Sequence, residues 1–310
     1  MKPLISVVIP VFNRSWQLER ALESLKQQTF VNFEVLICDD GSTQDIESVS
    51  KRFENFLNIR YFKSNNFGGP ARSRNIGINN AIGEWVSFLD SDDWWLPERF
   101  EILLKYFTEN IDFVYHPLKV ILSKNLKRRG ANRNLVGTAF KYEPLKHMAL
   151  LGNPVPNSSV VVRRTALLAI GGISEDIELI YVEDFDAWIK LAKHKYSMVF
   201  EPNFLGYYWV GNDGISSISE KQILNYKKLF NIHVEDFNSD YLQDAIACNH
   251  YYLGSMIFKL GSNFELAKNE LFAAKELPFL KLRLMRLLML MLLYIQIFRI
   301  NVINYLNEIH

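Results

Sequence analysis

Residues 83–93 read GEWVSFLDSDD. Trp85–Leu89 is an apolar, β-rich run, and Asp90, Asp92 and Asp93 follow it at once. Like charges this close repel, so the cluster costs folding energy unless solvent, a hydrogen-bond network or a cation compensates it. A buried strand that ends in concentrated acid is therefore read as part of a site. Its surroundings decide the fold.

Upstream, the chain alternates regularly. Ile5–Phe12 is a β-rich run, and Asn13-Arg14-Ser15 offers an N-cap for a helix over Trp16–Gln28 with Leu18, Ala21, Leu22 and Leu25 on one face. Phe33–Cys38 and Ile59–Phe62 are further strands, and Ala71–Ile82 is a helix ending at Gly83. After the acidic cluster, Pro97 opens a helix running to about Phe107. Continuous apolar strands alternating with helices predict an α/β fold with a mostly parallel sheet covered on both faces. Ligands of such sheets sit at the carboxyl ends of the strands. Pro10–Asn13, Asp39–Ser42 and Asp90–Asp93 each follow a strand directly, so the three clusters should gather along one rim.

The totals exclude several classes. A chain of 310 residues suggests two domains, or one with a sizeable appendage, and a net charge of +1 gives no support to nucleic-acid binding. Cys38 and Cys248 lie far apart without Cys-x-x-Cys spacing, so neither a disulfide scaffold nor a zinc site is indicated. The start, MKPLISVVIPVF, does not have the form of a signal peptide, and a cytosolic location is expected.

The middle of the chain mixes strands (Phe113–Leu122, Ser158–Val162, Met198–Phe200, Gly206–Val210) with helices around 143–151 and 184–194. Lys124–Asn134 reads as a basic surface loop. From about Ser219 the pattern is helical, with a helix hairpin over Ala245–Leu277 turning at Gly261-Ser262. Leu287–Phe298 is almost wholly apolar between Lys281, Arg283 and Arg286 on one side and Arg299 on the other. As a helix it spans roughly 18 Å, against about 30 Å of hydrocarbon, too short to cross comfortably. It reads either as a cationic helix lying on an anionic leaflet or as a helix packed on the core or on a partner chain.

Each polar cluster has a chemical and a plain structural reading. Asp90-Ser91-Asp92 suits Mg²⁺ or Mn²⁺, which prefer carboxylate oxygens and keep phosphates and water in their shell; the alternative is helix capping. Asp39-Asp40-Gly41-Ser42 is a turn sequence, yet a carboxylate there can also accept a hydrogen bond from the imide N–H of a pyrimidine. FGGPARSRNIG, residues 67–77, places Arg72 and Arg74 near a helix start, where charge and free N–H groups suit a diphosphate. It lacks the Gly-x-Gly-x-x-Gly spacing of a dinucleotide fold, which disfavours an oxidoreductase. Asn157 and Ser158 stand before a strand and read as a plain polar loop.

The ordered set ISVVIPVFNR, FEVLICDDGST, ARSRNIG, GEWVSFLDSDD and YVEDFDAWIKL resembles the family 2 glycosyltransferases of GT-A fold, over about residues 3–212. The resemblance implies an inverting enzyme that moves a sugar from a nucleotide diphosphate-sugar, UDP-linked by default, to an acceptor hydroxyl of a glycan or lipid-linked glycan. By motif, Pro10, Phe12 and Asn13 would line the nucleotide pocket. Asp39 would contact the base, with Asp40 its neighbour. Arg74 would face the diphosphate, with Arg72 as its competitor. Asp90 and Asp92 would hold the divalent cation, Mn²⁺ or Mg²⁺, with Ser91 between them. Glu183-Asp184 matches the family's Glu-Asp motif, and Asp184 would be the general base. The Gln-x-x-Arg-Trp motif of processive members is missing, and GYYWV stands at 206–210, so one sugar per encounter is expected. The arginine and histidine that many relatives carry just beyond are replaced by Gly211, Asn212 and Asp213. Intact Asp90, Asp92 and Asp184 weigh against the alternative of a catalytically inactive sugar-nucleotide-binding or scaffold relative. The domain reading is a transferase domain over 1–215 and a helical region over 216–310, with 281–306 a candidate membrane-associating helix; the expected location is cytoplasmic, peripheral on the inner face of the cytoplasmic membrane where that helix docks.

Overall fold

The computed structural model describes residues 2–123, 135–211 and 219–309, with side chains to 299. The basic stretch Lys124–Asn134, and Asn212 and Asp213, lie outside them. The chain forms two compact units, one of Met1–Pro144 with Asn153–Ser216 and the other of Leu145–Gly152 with Ser217–His310.

In the first unit β1 (Ile5–Val11) leads to α1 (Ser15–Lys26), β2 (Phe33–Asp39) to α2 (Ile46–Lys51), and β3 (Ile59–Lys63) to α3 (Pro70–Asn80). Then come β4 (Trp85–Phe88), a two-residue β5 (Trp94–Trp95), α4 (Arg99–Leu103), β6 (Phe113–Tyr115), β7 (Leu118–Leu122) and β8 (Leu135–Val136). After α5 (Pro144–Leu151) follow β9 (Val161–Arg163), α6 (Arg164–Ala169), α7 (Glu183–Lys193), β10 (Met198–Phe200) and β11 (Gly206–Val210). The main sheet runs β10-β6-β9-β4-β1-β2-β3. Its pairings are parallel except where β9 runs against β4 and β6. β1 and β2 are buried along their whole length, as a sheet covered on both faces requires. A smaller sheet runs β5-β11-β7-β8.

Several local expectations change. The strand expected over 113–122 is two strands in different sheets, parted at His116-Pro117, since proline donates no ladder hydrogen bond and restricts the residue before it. The helix after Pro97 is short and closes in a 3₁₀ turn over Leu104–Tyr106. No side chain caps α1; Arg14 holds the cap position, and the Asn13 side chain turns elsewhere. Residues Leu145–Gly152, placed by sequence in the first domain, pack with the second unit, because Ala149 and Leu150 are buried in the helical core.

α3 crosses β1 closely. A Cβ on Gly77 would stand 2.3 Å from Val8 Cγ1. Overpacking costs about 1–3 kcal/mol, against a helix-propensity gain of about 1 kcal/mol. Gly77→Ala is therefore expected to lower the urea midpoint of unfolding.

The second unit contains α8 (Glu220–His233), α9 (Ser239–Leu260), α10 (Phe264–Ala273) and α11 (Leu280–Ile309). Ser219, Asn238 and Asn263 cap the first three with side-chain oxygens. Gly261 ends α9 in the left-handed conformation at φ 76°, which makes the expected hairpin turn. Gly254 lets α10 approach, since a Cβ there would meet Leu271 Cγ at 2.7 Å.

Candidate active site

The candidate site lies at the rim where β1 and β4 part. Leu89 N–H donates to Val8 O at 3.1 Å, after which β4 gives way to Asp90. Pro10 lies two residues beyond Val8 on the same edge of β1, so its missing N–H leaves no bond of that ladder unmade. The three polar clusters do meet along this rim. Asn13 N–H donates to Ser42 Oγ at 2.8 Å, and Arg14 Nη1 lies 2.6 Å from Asp92 Oδ2.

On one side stand the loops after β1 and β2. Asp39 is buried; its Oδ1 accepts from Ser42 N–H at 2.8 Å and its Oδ2 from Tyr61 Oη at 2.6 Å. Burial first, then this carboxylate, pushes the Tyr61 phenol up. Asp40 accepts from Phe67 N–H at 3.0 Å, which ties the turn to the glycine loop before α3; loss of water raises its carboxyl. Asn13 has a left-handed φ of 52°, and its Oδ1 accepts from Thr43 N–H at 2.8 Å and Gln44 N–H at 3.2 Å. Its side chain shapes the loop wall. Phe12 beside it is 45% exposed and presents an open ring.

The three aspartates that posed the folding problem have three different settings. Asp90 Oδ1 accepts from Arg74 Nη2 at 2.8 Å and Asn157 Nδ2 at 3.1 Å, and its N–H donates to Ser158 Oγ at 3.0 Å. Asn157 and Ser158 thus brace Asp90. Asp92 carries the Arg14 ion pair, and its carbonyl accepts from Arg20 Nη2 at 2.5 Å. Desolvation and then the neighbouring Asp90 raise the Asp92 carboxyl, against the pull of Arg14. Asp93 is buried and accepts from Trp209 N–H at 2.8 Å; burial and its two acidic neighbours hold it well above the usual carboxylate range, which favours its neutral form. Ser91 is buried between them.

Arg20 is fixed by aromatic faces as well as by Asp92, with its guanidinium 3.9 Å from the Trp94 ring centre and 4.7 Å from that of Trp209. Sequence reading missed Arg20 and Tyr61, and took Arg14 only as part of a helix cap. The available signal for Arg20 was its i, i+4 spacing from Trp16 on α1, whose ring it also faces at 5.3 Å.

Arg74 departs from its expected place toward a diphosphate. It is buried between two carboxylates, with Nη1 2.6 Å from Glu183 Oε1 and Nη2 2.8 Å from Asp90 Oδ1. Burial opposes its charge, but Asp90, Glu183 and Asp184 together outweigh that, so the guanidinium stays charged. Arg72, its competitor, is exposed and faces the Phe67 ring at 5.1 Å. Glu183 and Asp184 open α7, as the motif predicts. Asp184 Oδ1 accepts from Phe185 N–H at 2.7 Å. Its carboxyl is pushed up to about 7, by desolvation first and then by Glu183, with Arg74 pulling the other way. A carboxylate with that affinity for a proton can both take and release one near neutrality.

Asp90 Oδ2 and Asp92 Oδ1 take no part in the bonds above. These two hard oxygens, in a cluster already strained by like charge, fit a divalent cation that draws its other ligands from phosphate and water. Among the described residues no group of three or more His, Cys, Asp or Glu is placed to hold a metal, so these residues offer a two-carboxylate site and not a closed cage.

The family profile described as glycosyl transferase family 2 matches residues 6–169. An uncharacterised glycosyltransferase of Rickettsia felis is 49% identical over 112 residues, 36% of this chain and 18% of that protein. The chain thus spans under a fifth of that relative's length. An Escherichia coli protein, UDP-Glc:alpha-D-GlcNAc-diphosphoundecaprenol beta-1,3-glucosyltransferase WfgD, is 24% identical over 82% of this chain and 92% of its own. Among solved structures, S. aureus TarS 1–349 in complex with UDP-GlcNAc aligns with a TM-score of 0.66 at 21% identity, over 88% of this chain and 79% of that one. That likeness is one of fold, the GT-A arrangement of a mostly parallel sheet flanked by helices.

Proposed function

This chain belongs to glycosyl transferase family 2, and from that premise we propose that it moves a sugar from a UDP-sugar to a hydroxyl of a lipid-linked glycan, with inversion at the anomeric carbon, one residue per encounter. The observation that carries this reading is the Arg74 bridge, which joins Asp90 of the acidic cluster to Glu183 beside Asp184. The E. coli relative, whose name states a UDP-linked donor and a diphosphoundecaprenol acceptor, supports the choice of substrates.

In this reading Pro10, Phe12 and Asn13 line the nucleotide pocket. Asp39 accepts from the base imide, while Asp40 holds the Phe67 loop beneath the diphosphate. Arg72 faces the phosphates, because Arg74 is committed to carboxylates. Asp90 and Asp92 would hold Mn²⁺ or Mg²⁺, with Ser91 and Glu183 completing the wall of the site. A cation bound there offsets the negative charge that gathers on the leaving diphosphate. Asp184 removes the proton from the acceptor hydroxyl as its oxygen attacks the anomeric carbon and the bond to the diphosphate breaks.

A thermal-shift screen with UDP, GDP, dTDP and NAD, each with and without Mn²⁺, tests the reading. A ligand at a hundred times its dissociation constant stabilises by about 2.7 kcal/mol. UDP with Mn²⁺ should raise the melting temperature clearly, and UDP alone less. Stabilisation by NAD alone, or by no nucleotide, contradicts the assignment.

A further inference from the structure

We infer that α11 is a membrane-docking helix whose outward apolar stripe lies in the headgroup region of an anionic bilayer. The helix has two apolar sides. Leu290 and Leu293 are buried in the core of the helical unit, with Leu282 and Met289 packed against it. At the other side Leu284, Leu287, Leu288, Met291, Ile295 and Phe298 are between 43 and 69% exposed. Their spacing of three, one, three, four and three places them on one continuous face. A stripe of this size on water is unfavourable, and it calls for an occupant.

Charge selects the occupant. From Leu277 to Asn307 the chain has Lys281, Arg283, Arg286 and Arg299 and no aspartate or glutamate. Arg283 and Arg286 donate to the carbonyls of Leu277 and Ala274. Lys281 and Arg299 are exposed. They stand about five turns apart, at the same angular position beside the stripe. Two copies joined through this face would bring these cations together with no carboxylate between Leu277 and Asn307 to offset them, Glu308 at the far end of the helix being the only one it carries. An anionic lipid surface supplies the missing charge and covers the apolar face at once. The orientation is parallel to the surface, since no helix among the described residues is long and apolar enough to cross a membrane.

Flotation of the full chain with phosphatidylglycerol-containing and neutral phosphatidylcholine vesicles tests this, and it needs no turnover, so its result is separate from the catalytic assignment. The chain should float with the anionic vesicles and much less with the neutral ones. Lys281→Gln with Arg299→Gln should weaken anionic-vesicle binding about 30-fold, at roughly fivefold per cation near the surface. Leu284→Glu, Leu288→Glu and Met291→Glu combined should abolish flotation while the circular dichroism stays unchanged. The inference fails if the wild-type chain does not float, or if the charge variant binds as tightly as the wild type. It also fails if light scattering shows a dimer that the triple variant dissociates, because the stripe then belongs to a second copy.

Discussion

Asp184→Asn should lower turnover by about 10²–10⁴-fold, the range that a positioned general base contributes, while the UDP-dependent thermal shift stays as in the wild type. The amide keeps the shape and the hydrogen bond to Phe185 N–H but cannot take a proton. In the parent protein the carboxyl is pushed up to about 7, so the turnover rate should climb with pH up to about 7 and then level off. Stability should move in the opposite sense. The folded state binds this proton more tightly than the unfolded state, so the contribution is full at low pH and is lost as the pH rises through about 7. Asp184→Asn removes that loss and should melt at a higher temperature than the parent at pH 8. An Asp184→Asn enzyme with full activity would move the base to another residue.

The second large effect is expected at Arg74. Arg74→Met leaves the Glu183 and Asp90 carboxylates, 2.6 and 2.8 Å from the guanidinium in the native protein, without their shared cation. Breaking a buried pair from one side costs about 3–5 kcal/mol, because an uncompensated charge stays behind. Urea denaturation should show a loss of that order. Arg74→Lys should restore only part of it, since one ammonium cannot present two parallel donors to two partners. The double variant Arg74→Met with Glu183→Gln should be more stable than Arg74→Met alone, and additive losses would contradict the coupling.

Much of this arrangement is legible in the letters because it is local. The apolar runs of β1, β2 and β4 and the acid directly behind them fix a parallel sheet with a polar rim, and the Glu-Asp step reads correctly as a helix start. What escapes is what depends on partners far away in the chain. Arg74 looks like a phosphate ligand until Glu183, 109 positions later, is seen to hold it. Asn13 looks like a helix cap, but its carbonyl is taken by the loop at 43–44. β5 has only two residues and exists because β11 pairs with it from over a hundred positions away; no periodicity can announce a strand so short. The break at Pro117 was readable in principle, from the geometry that proline imposes on its neighbour.

The guanidinium between Asp90 and Glu183 also bears on how such enzymes can be recombined. The segment up to β4 and the segment carrying α7 lie far apart in the chain, and exchanging the latter is a natural way to seek a new product. Any graft that brings α7 without its glutamate, or sets it beside a front half lacking the arginine, strands a charge in the seam. Compatible parents for a chimera are therefore those that carry both halves of this clasp.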